Sequence, residues 1–242
     1  MNTFFKDNAG NNSQSDSTGS YGILKGSVIC IEGLVGVGKS VAGFSIMSYL
    51  NALDIKTKYY PEYFNHDLLN QYLSNMSKYA YYFQMFMLLK RIDMYKEALA
   101  FADNGGVSVI DRCVVGDYAF ATMQHKKGYI TDEDWKVYLS VMKQDRMRMP
   151  TTILYLQCSP SVAFERILKR NITSEVSGYT LEYLKDLDAS YTETIDIISG
   201  GNNIICYIKW GESKHVLGGL LGNSSCIHLL ECIKEKIVSN SF

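Results

Sequence analysis

The chain has no surplus of positive charge. Over 242 residues, 24 Lys+Arg stand against 25 Asp+Glu, a formal net charge of -1. A protein held on the nucleic-acid backbone by charge is clearly basic, so no nucleic-acid polymer is expected as the main partner. None of the six cysteines (Cys30, Cys113, Cys158, Cys206, Cys226, Cys232) forms a C-x-x-C pair. The four histidines (His66, His125, His215, His228) are dispersed without zinc-ligand spacing. Both sets read as core or surface residues, not as a metal centre. The N-terminus lacks the apolar stretch of a signal peptide and the arginines of a transit peptide, and no run approaches membrane-spanning length. An intracellular, reducing compartment without disulfides is the expectation. There is no internal repeat, no guanine-reading N-K-x-D, and no Ser/His/Asp or Cys/His catalytic pattern.

What remains is ample apolar material, 47% of residues, enough for one α/β domain with a short tail. Residues 1–22 are rich in Asn, Ser, Gly and Asp and read as a disordered tail, leaving 23–242 as the domain. Five short apolar runs are expected as strands: Ser27–Ile31, Thr57–Tyr60, Val107–Ile110, Thr152–Gln157 and Asn203–Trp210. Long helical stretches lie between them, including Lys78–Asp103, one beginning at Thr131, Pro160–Arg170, Leu181–Ser199 and Cys226–Val238. Such alternation predicts a five-stranded parallel sheet flanked by helices in three layers. Ligands in these sheets bind beyond the carboxyl ends of the strands, so the polar residues that follow each strand matter most.

After the first strand stands Gly33-Leu34-Val35-Gly36-Val37-Gly38-Lys39-Ser40, which fits G-x-x-x-x-G-K-[ST]. The glycines let backbone N–H groups wrap phosphates, and the next helix presents its positive end. Lys39 can reach the β- and γ-phosphates of ATP, and Ser40 can coordinate magnesium. The motif does not name the acceptor. The second strand ends in Pro61-Glu62, a carboxylate able to take a hydroxyl proton. The third ends in Asp111-Arg112: Asp111 suits the magnesium shell, and Arg112 suits phosphate oxygens or the acceptor oxygen. After the fourth, Arg166 and Arg170 share one helical face and can close over the transferring phosphate. Asp103-Asn104-Gly105-Gly106 matches D-x-x-G but precedes a strand, and it reads as a turn.

Together these residues bring a family into view. From about Ser27 to Tyr191 the chain resembles the deoxynucleoside kinases related to deoxycytidine and deoxyguanosine kinase. The resemblance rests on the P-loop, Pro61-Glu62, Phe83-Gln84, Asp111-Arg112, Arg166-x-x-x-Arg170 and Leu181-Glu182-Tyr183-Leu184. It implies a P-loop kinase fold with a lid and ATP-dependent phosphorylation of the 5′-hydroxyl of a deoxyribonucleoside, with magnesium as cofactor. It also implies a homodimer built through the long helices. Carried over, Glu62 is the general base, and Gln84 pairs with the base edge while Phe83 packs on it. Arg112 lies near the 5′-oxygen, and Arg166 and Arg170 clamp the phosphates. Tyr72 and Glu175 take the sugar 3′-hydroxyl. Phe120 is the base-stacking aromatic. Arg91 and Asp117 occur at places where the cytosine- and purine-preferring members carry the same pair, and Met87 lies on the same helix. The chain departs from the family at Cys113, where serine is usual, and at Ile172, where a third lid arginine is expected. Tyr72 to Gln84 is one residue longer than usual, and Asp117 to Phe120 one shorter.

Two rivals make different demands. A thymidylate-kinase-like enzyme acts on an anionic acceptor and should carry an arginine after the second strand, where Glu62 stands. A non-enzymatic nucleotide switch does not require Glu62, Gln84 and the lid arginines together.

Overall fold

A computed structural model of the chain describes residues 24–144, 148–199, 204–210 and 229–235. The expected tail, residues 1–22, and both ends of the expected helix at 226–238 lie outside the described residues; 229–235 within it are helical.

Five strands form one sheet: β1 (Val28–Glu32), β2 (Thr57–Tyr60), β3 (Val107–Asp111), β4 (Thr152–Gln157) and β5 (Ile204–Lys209). Their order is β2-β3-β1-β4-β5 and every pairing is parallel. Alternate residues of one strand therefore enter different cores. Val28 and Cys30 join one apolar cluster, and Ile29 and Ile31 join the other. This is why the strands read as continuous apolar runs: both faces are covered.

The helices are α1 (Lys39–Ala52), α2 (His66–Ser74), α3 (Met76–Asp103), α4 (Val114–Lys126), α5 (Asp132–Gln144), α6 (Pro160–Arg170), α7 (Thr173–Gly178) and α8 (Leu181–Ser199). Side chains that open them are legible locally. Asn65 and Asn75 accept from Leu68 N and Lys78 N at the starts of α2 and α3, and Thr131 accepts from Asp134 N at the start of α5. α3 stops at the expected turn, where Gly105 takes a φ of +80°. No helix among the described residues is long and apolar enough to cross a membrane.

From β1 the chain first fills one side of the sheet with β2 and β3, then the other with β4 and β5. The crevice at that reversal lies beyond the carboxyl ends of β1 and β3. The register Ile31↔Asp111 sets the end of β3 beside the end of β1.

Candidate active site

The loop between β1 and α1 is held by its apolar side chains and leaves its backbone to the crevice. Leu34 and Val37 are buried. Gly33, Gly36 and Gly38 take φ of +143°, +80° and +105°, values that L side chains rarely adopt. A Cβ on Gly36 would stand 2.8 Å from the Ala163 carbonyl. The N-terminus of α1 has no side-chain cap, so its first N–H groups stay available to an anion. Lys39 Nζ donates to the Leu34 carbonyl at 3.0 Å. Burial and the nearby Arg112 charge pull its ammonium down to about 8, against the opposing influence of Asp111 and Glu62.

Ser40 Oγ donates to Asp111 Oδ2 at 3.0 Å, and the Tyr59 hydroxyl donates to the same oxygen at 3.2 Å. Oδ1 of Asp111 is buried with no partner. A hydroxyl beside a carboxylate with one free oxygen is the oxygen donor set that magnesium takes.

Arg112 follows β3 in the left-handed region, with φ +65°, a conformation that costs an arginine about 1–2 kcal/mol. Its contacts hold it there. Its N–H donates to Ile31 O at 3.0 Å, and Nη1 donates to Gly33 O at 2.9 Å and to the Tyr191 hydroxyl at 3.2 Å. Nε lies 3.3 Å from Glu62 Oε1. Arg91 forms a second ion pair with the same carboxylate. Burial would raise the Glu62 pKa, but the charges of Arg112, Arg91 and Lys39 outweigh it and hold the group below the usual 4.5.

Gln84, Met87 and Arg91 form one buried stripe of α3. Arg91 also pairs with Asp117 on α4. Gln84 Nε2 donates to Asp117 Oδ1 at 2.7 Å and to its carbonyl at 3.2 Å. The Tyr138 hydroxyl donates to Asp117 Oδ1 at 2.7 Å. Burial raises the Asp117 pKa, and Arg91, Tyr138 and Gln84 oppose that rise.

A cavity of about 170 Å³ joins these groups. Val35, Gly36, Lys39, Ser40 and Asp111 line one end, and Phe83, Gln84, Met87, Arg91 and Phe120 the other, with Glu62 and Arg112 also in the wall. Arg170 and Glu175, paired with each other, line it from the lid side. Arg166 instead donates to the Val37 carbonyl at 2.8 Å, steadying the loop from behind. Tyr72 stands a layer back. Its ring stacks on Phe83 at 4.7 Å and its hydroxyl meets that of Tyr183 at 3.0 Å, while Glu175, expected to share the sugar 3′-hydroxyl with it, lines the cavity. Asp117 is likewise fully buried behind Gln84 and Arg91.

Sequence reading missed the residue that ties this wall together. Glu32 ends β1 fully buried. Oε1 accepts from Cys113 N at 2.9 Å and Gly116 N at 3.0 Å, and Oε2 accepts from Tyr191 at 3.0 Å. The signal was present: an acid inside a buried strand must have partners. Tyr138 and Tyr191 carried no such signal among 18 tyrosines.

A sequence model of the deoxynucleoside kinase family matches residues 29–210. A deoxyadenosine kinase of Dictyostelium discoideum is 32% identical over 195 residues, spanning 78% of this chain and 74% of that one. A probable deoxycytidine kinase of fowlpox virus is 32% identical over 160 residues, spanning 64% and 66%. Among solved structures, a deoxyadenosine kinase from M. mycoides, with dCMP and a flexible dCDP bound, superposes with a TM-score of 0.66. It is 22% identical and covers 88% of this chain and 99% of its own, a likeness of fold. With three quarters of its length inside the family's pattern, this chain belongs to the deoxynucleoside kinase family.

Proposed function

We propose that the chain transfers the γ-phosphoryl of ATP to the 5′-hydroxyl of a deoxyribonucleoside whose base is cytosine or a purine. Glu62 carries the reading. It is a carboxylate held ionised by two arginines, in the wall of a cavity whose one end is the P-loop. Phosphoryl transfer to a neutral hydroxyl asks for such a group, whereas an anionic acceptor would be repelled by it. Glu62 orients the hydroxyl and takes its proton late, when the bond to phosphorus has acidified it. Its depressed pKa suits that timing: it is always ionised at neutral pH and never competes as a strong base. Arg112, fixed by Gly33 and Tyr191, faces the oxygen that attacks. Lys39 leaves the Leu34 carbonyl for the β- and γ-phosphates, whose charge raises its pKa and holds its proton. Arg170 closes from the lid, and Arg166 acts through the loop backbone. Ser40 and Asp111 would hold magnesium, which when bound neutralises charge on the phosphate oxygens.

At the other end Phe83 and Phe120 sandwich the base, Met87 bounds it and Gln84 meets its edge. The Arg91–Asp117 pair fills the space that a thymine 5-methyl would need. Glu175, with Tyr72 behind it, faces the sugar. The relatives' names, deoxyadenosine and deoxycytidine kinase, fall in the same classes of base. Tyr82 and Leu89 are exposed on the outer face of α3, 67% and 50%, and we assign that face to a homodimer contact. An intracellular setting supplies ATP.

The test is an ATP-consumption assay with deoxycytidine, deoxyadenosine, deoxyguanosine, thymidine and thymidine monophosphate as acceptors. Turnover is expected with the first three above thymidine, and none with the monophosphate. The highest kcat/KM for thymidine would overturn the base preference, and turnover of the monophosphate would overturn Glu62's role.

A further inference from the structure

A glycine in the middle of a helix marks a side chain that the mechanism has not used. Gly43 is the fifth residue of α1, and glycine is a poor helix former. Its backbone is helical and not left-handed, so no turn requires it. What requires it is the ring of Tyr59 on β2. A Cβ on Gly43 would stand 2.2 Å from Cε2 of that ring, 2.6 Å from Cδ2 and 2.8 Å from Cζ. Phe44, the next residue of the helix, meets the same ring with centroids 4.6 Å apart. The ring is held between its strand and the backbone of α1, and Tyr59 is buried.

A ring fixed in this way delivers its hydroxyl to one place, Asp111. The hydroxyl donates to Oδ2 at 3.2 Å, the oxygen that also receives Ser40 Oγ at 3.0 Å. A carboxylate only accepts, so both hydroxyls donate, and together they occupy Oδ2. Oδ1 is left buried without a partner among the described residues. The two donors come from different elements. Ser40 opens α1 directly after the phosphate loop, whereas Tyr59 belongs to the sheet and pairs in register with Val109, two residues before Asp111. Turning the carboxylate over would break both bonds, so the two donors settle which oxygen stays free.

Of these two donors only Tyr59 has a single task. The same Oγ of Ser40 is assigned to magnesium, and it moves with the phosphate loop. The phenol is tied to the sheet and is free of both duties. Carboxylates that hold a metal are themselves held by hydrogen bonds from outside the ligand set, and losing such a partner weakens metal binding by roughly 10- to 100-fold. We propose that Tyr59 is a positioning residue for the magnesium site, whose hydroxyl keeps the Asp111 carboxylate turned so that Oδ1 is the oxygen offered to the cation. This rests on the reading of Ser40 and Asp111 as the residues that hold magnesium, and it adds a residue of β2 behind them.

The experiment measures Kd for ATP by calorimetry on the full chain without nucleoside, once with saturating magnesium and once with EDTA. The ratio of the two constants isolates what the cation's contacts with the protein contribute. In the wild type magnesium tightens binding. Tyr59→Phe keeps the ring over Gly43 and removes only the hydroxyl, so the fold is retained. It is expected to leave Kd in EDTA unchanged and to lower the advantage given by magnesium by roughly tenfold. A merely structural Tyr59 would lower the melting temperature and weaken ATP equally in both buffers. That result, or an unchanged ratio in the variant, overturns the role of Tyr59 and leaves the reading of Ser40 and Asp111 intact. A wild type that binds ATP equally well with magnesium and with EDTA overturns the role of Tyr59 together with the reading beneath it.

Discussion

At the phosphate end of the cavity, side chains crowd onto one oxygen of Asp111 and leave the other bare, and Lys39 spends its charge on a single carbonyl. At the base end, Asp117 receives Arg91, Gln84 and Tyr138 at once, and both ends of the Gln84 amide are engaged. The first region is incomplete by design: its backbone N–H groups, a bare carboxylate oxygen and an ammonium displaced to about 8 all gain from an arriving polyphosphate and its cation. The second has most of its hydrogen bonds made before anything arrives, leaving Arg91 Nε and Gln124 Oε1 unpartnered, so it offers shape and fixed polarity more than unspent binding energy. Affinity and rate should therefore reside at one end and choice at the other.

The hardest blow falls on the phosphate end. Lys39→Ala removes the ammonium that we assign to the β- and γ-phosphates, and kcat should drop by about three powers of ten or more. Preference among nucleosides, measured as kcat/KM ratios on the residual activity, should hardly move. A variant that kept near wild-type turnover would break the comparison. The intact protein sharpens it through pH. In the nucleotide-free protein Lys39 loses its proton as pH rises through about 8, so kcat/KM for ATP declines there. Bound phosphate raises that pKa, so kcat at saturating ATP holds to higher pH.

Glu62 sits between the two ends. Glu62→Gln keeps the shape and both arginine contacts in reduced form but removes the proposed base, and kcat should fall by about 10²–10⁴ while ATP still raises the melting temperature. Because Arg112, Arg91 and Lys39 hold this carboxylate below 4.5 against its burial, the wild-type acid limb of kcat should lie below pH 4.5. A limb near pH 6 would mean that a different group titrates in catalysis.

A smaller effect is expected at the base end, and on choice more than rate. Arg91→Met with Asp117→Ala removes both partners of one buried pair and leaves Glu62 to Arg112 and Lys39, so no charge is stranded, while the loss of one of its two arginines lowers kcat a little. The ratio of kcat/KM for deoxycytidine to that for thymidine should fall by roughly 10- to 200-fold, the range for a methyl-sized change in a pocket. Loss of activity on both substrates alike would assign the pair to stability.

The same contrast explains what the sequence could tell. The phosphate end was legible because its parts lie within one short loop, Gly33 to Ser40, whose spacing reflects local backbone geometry. All five strands and α6 and α8 were legible within a residue, the strands because burial on both faces writes itself as continuous apolar runs. Gln84 with Arg91 could be placed on one face by helical spacing, but Asp117 as their partner came only through resemblance. Gln124, Tyr138 and Tyr191 act across elements 21 to 159 positions apart in sequence, and no local pattern marks them. The direction of Tyr72 was hidden for the same reason, since it is set by Phe83 and Tyr183 and not by spacing.

Glu32 joins the two regions, and loosening it gives the smallest expected change. Its carboxylate is gripped by the backbone N–H groups of Cys113 and Gly116, one beside Arg112 and the other one residue before Asp117. Gly116 is required by that closeness and not by its backbone conformation: a Cβ there would stand 2.3 Å from Glu32 Oε2 and 2.7 Å from the Tyr191 hydroxyl. Gly116→Ala must therefore push the carboxylate away from its donors or shift the start of α4. Overpacking of this kind costs about 1–3 kcal/mol, and in a domain of this size each kcal/mol lowers Tm by about 2–4 °C. A melting temperature lower by roughly 3–10 °C is expected. Because Arg112 and Asp117 flank the disturbed contact, kcat and the base ratio should both slip by a few-fold. Gly128→Ala is the control, with φ +71° but nothing within 4 Å of its Cβ, and it should lower Tm without touching kcat or the base ratio. If Gly116→Ala likewise altered stability alone, Glu32 would be a core contact and the two ends of the cavity would be independent.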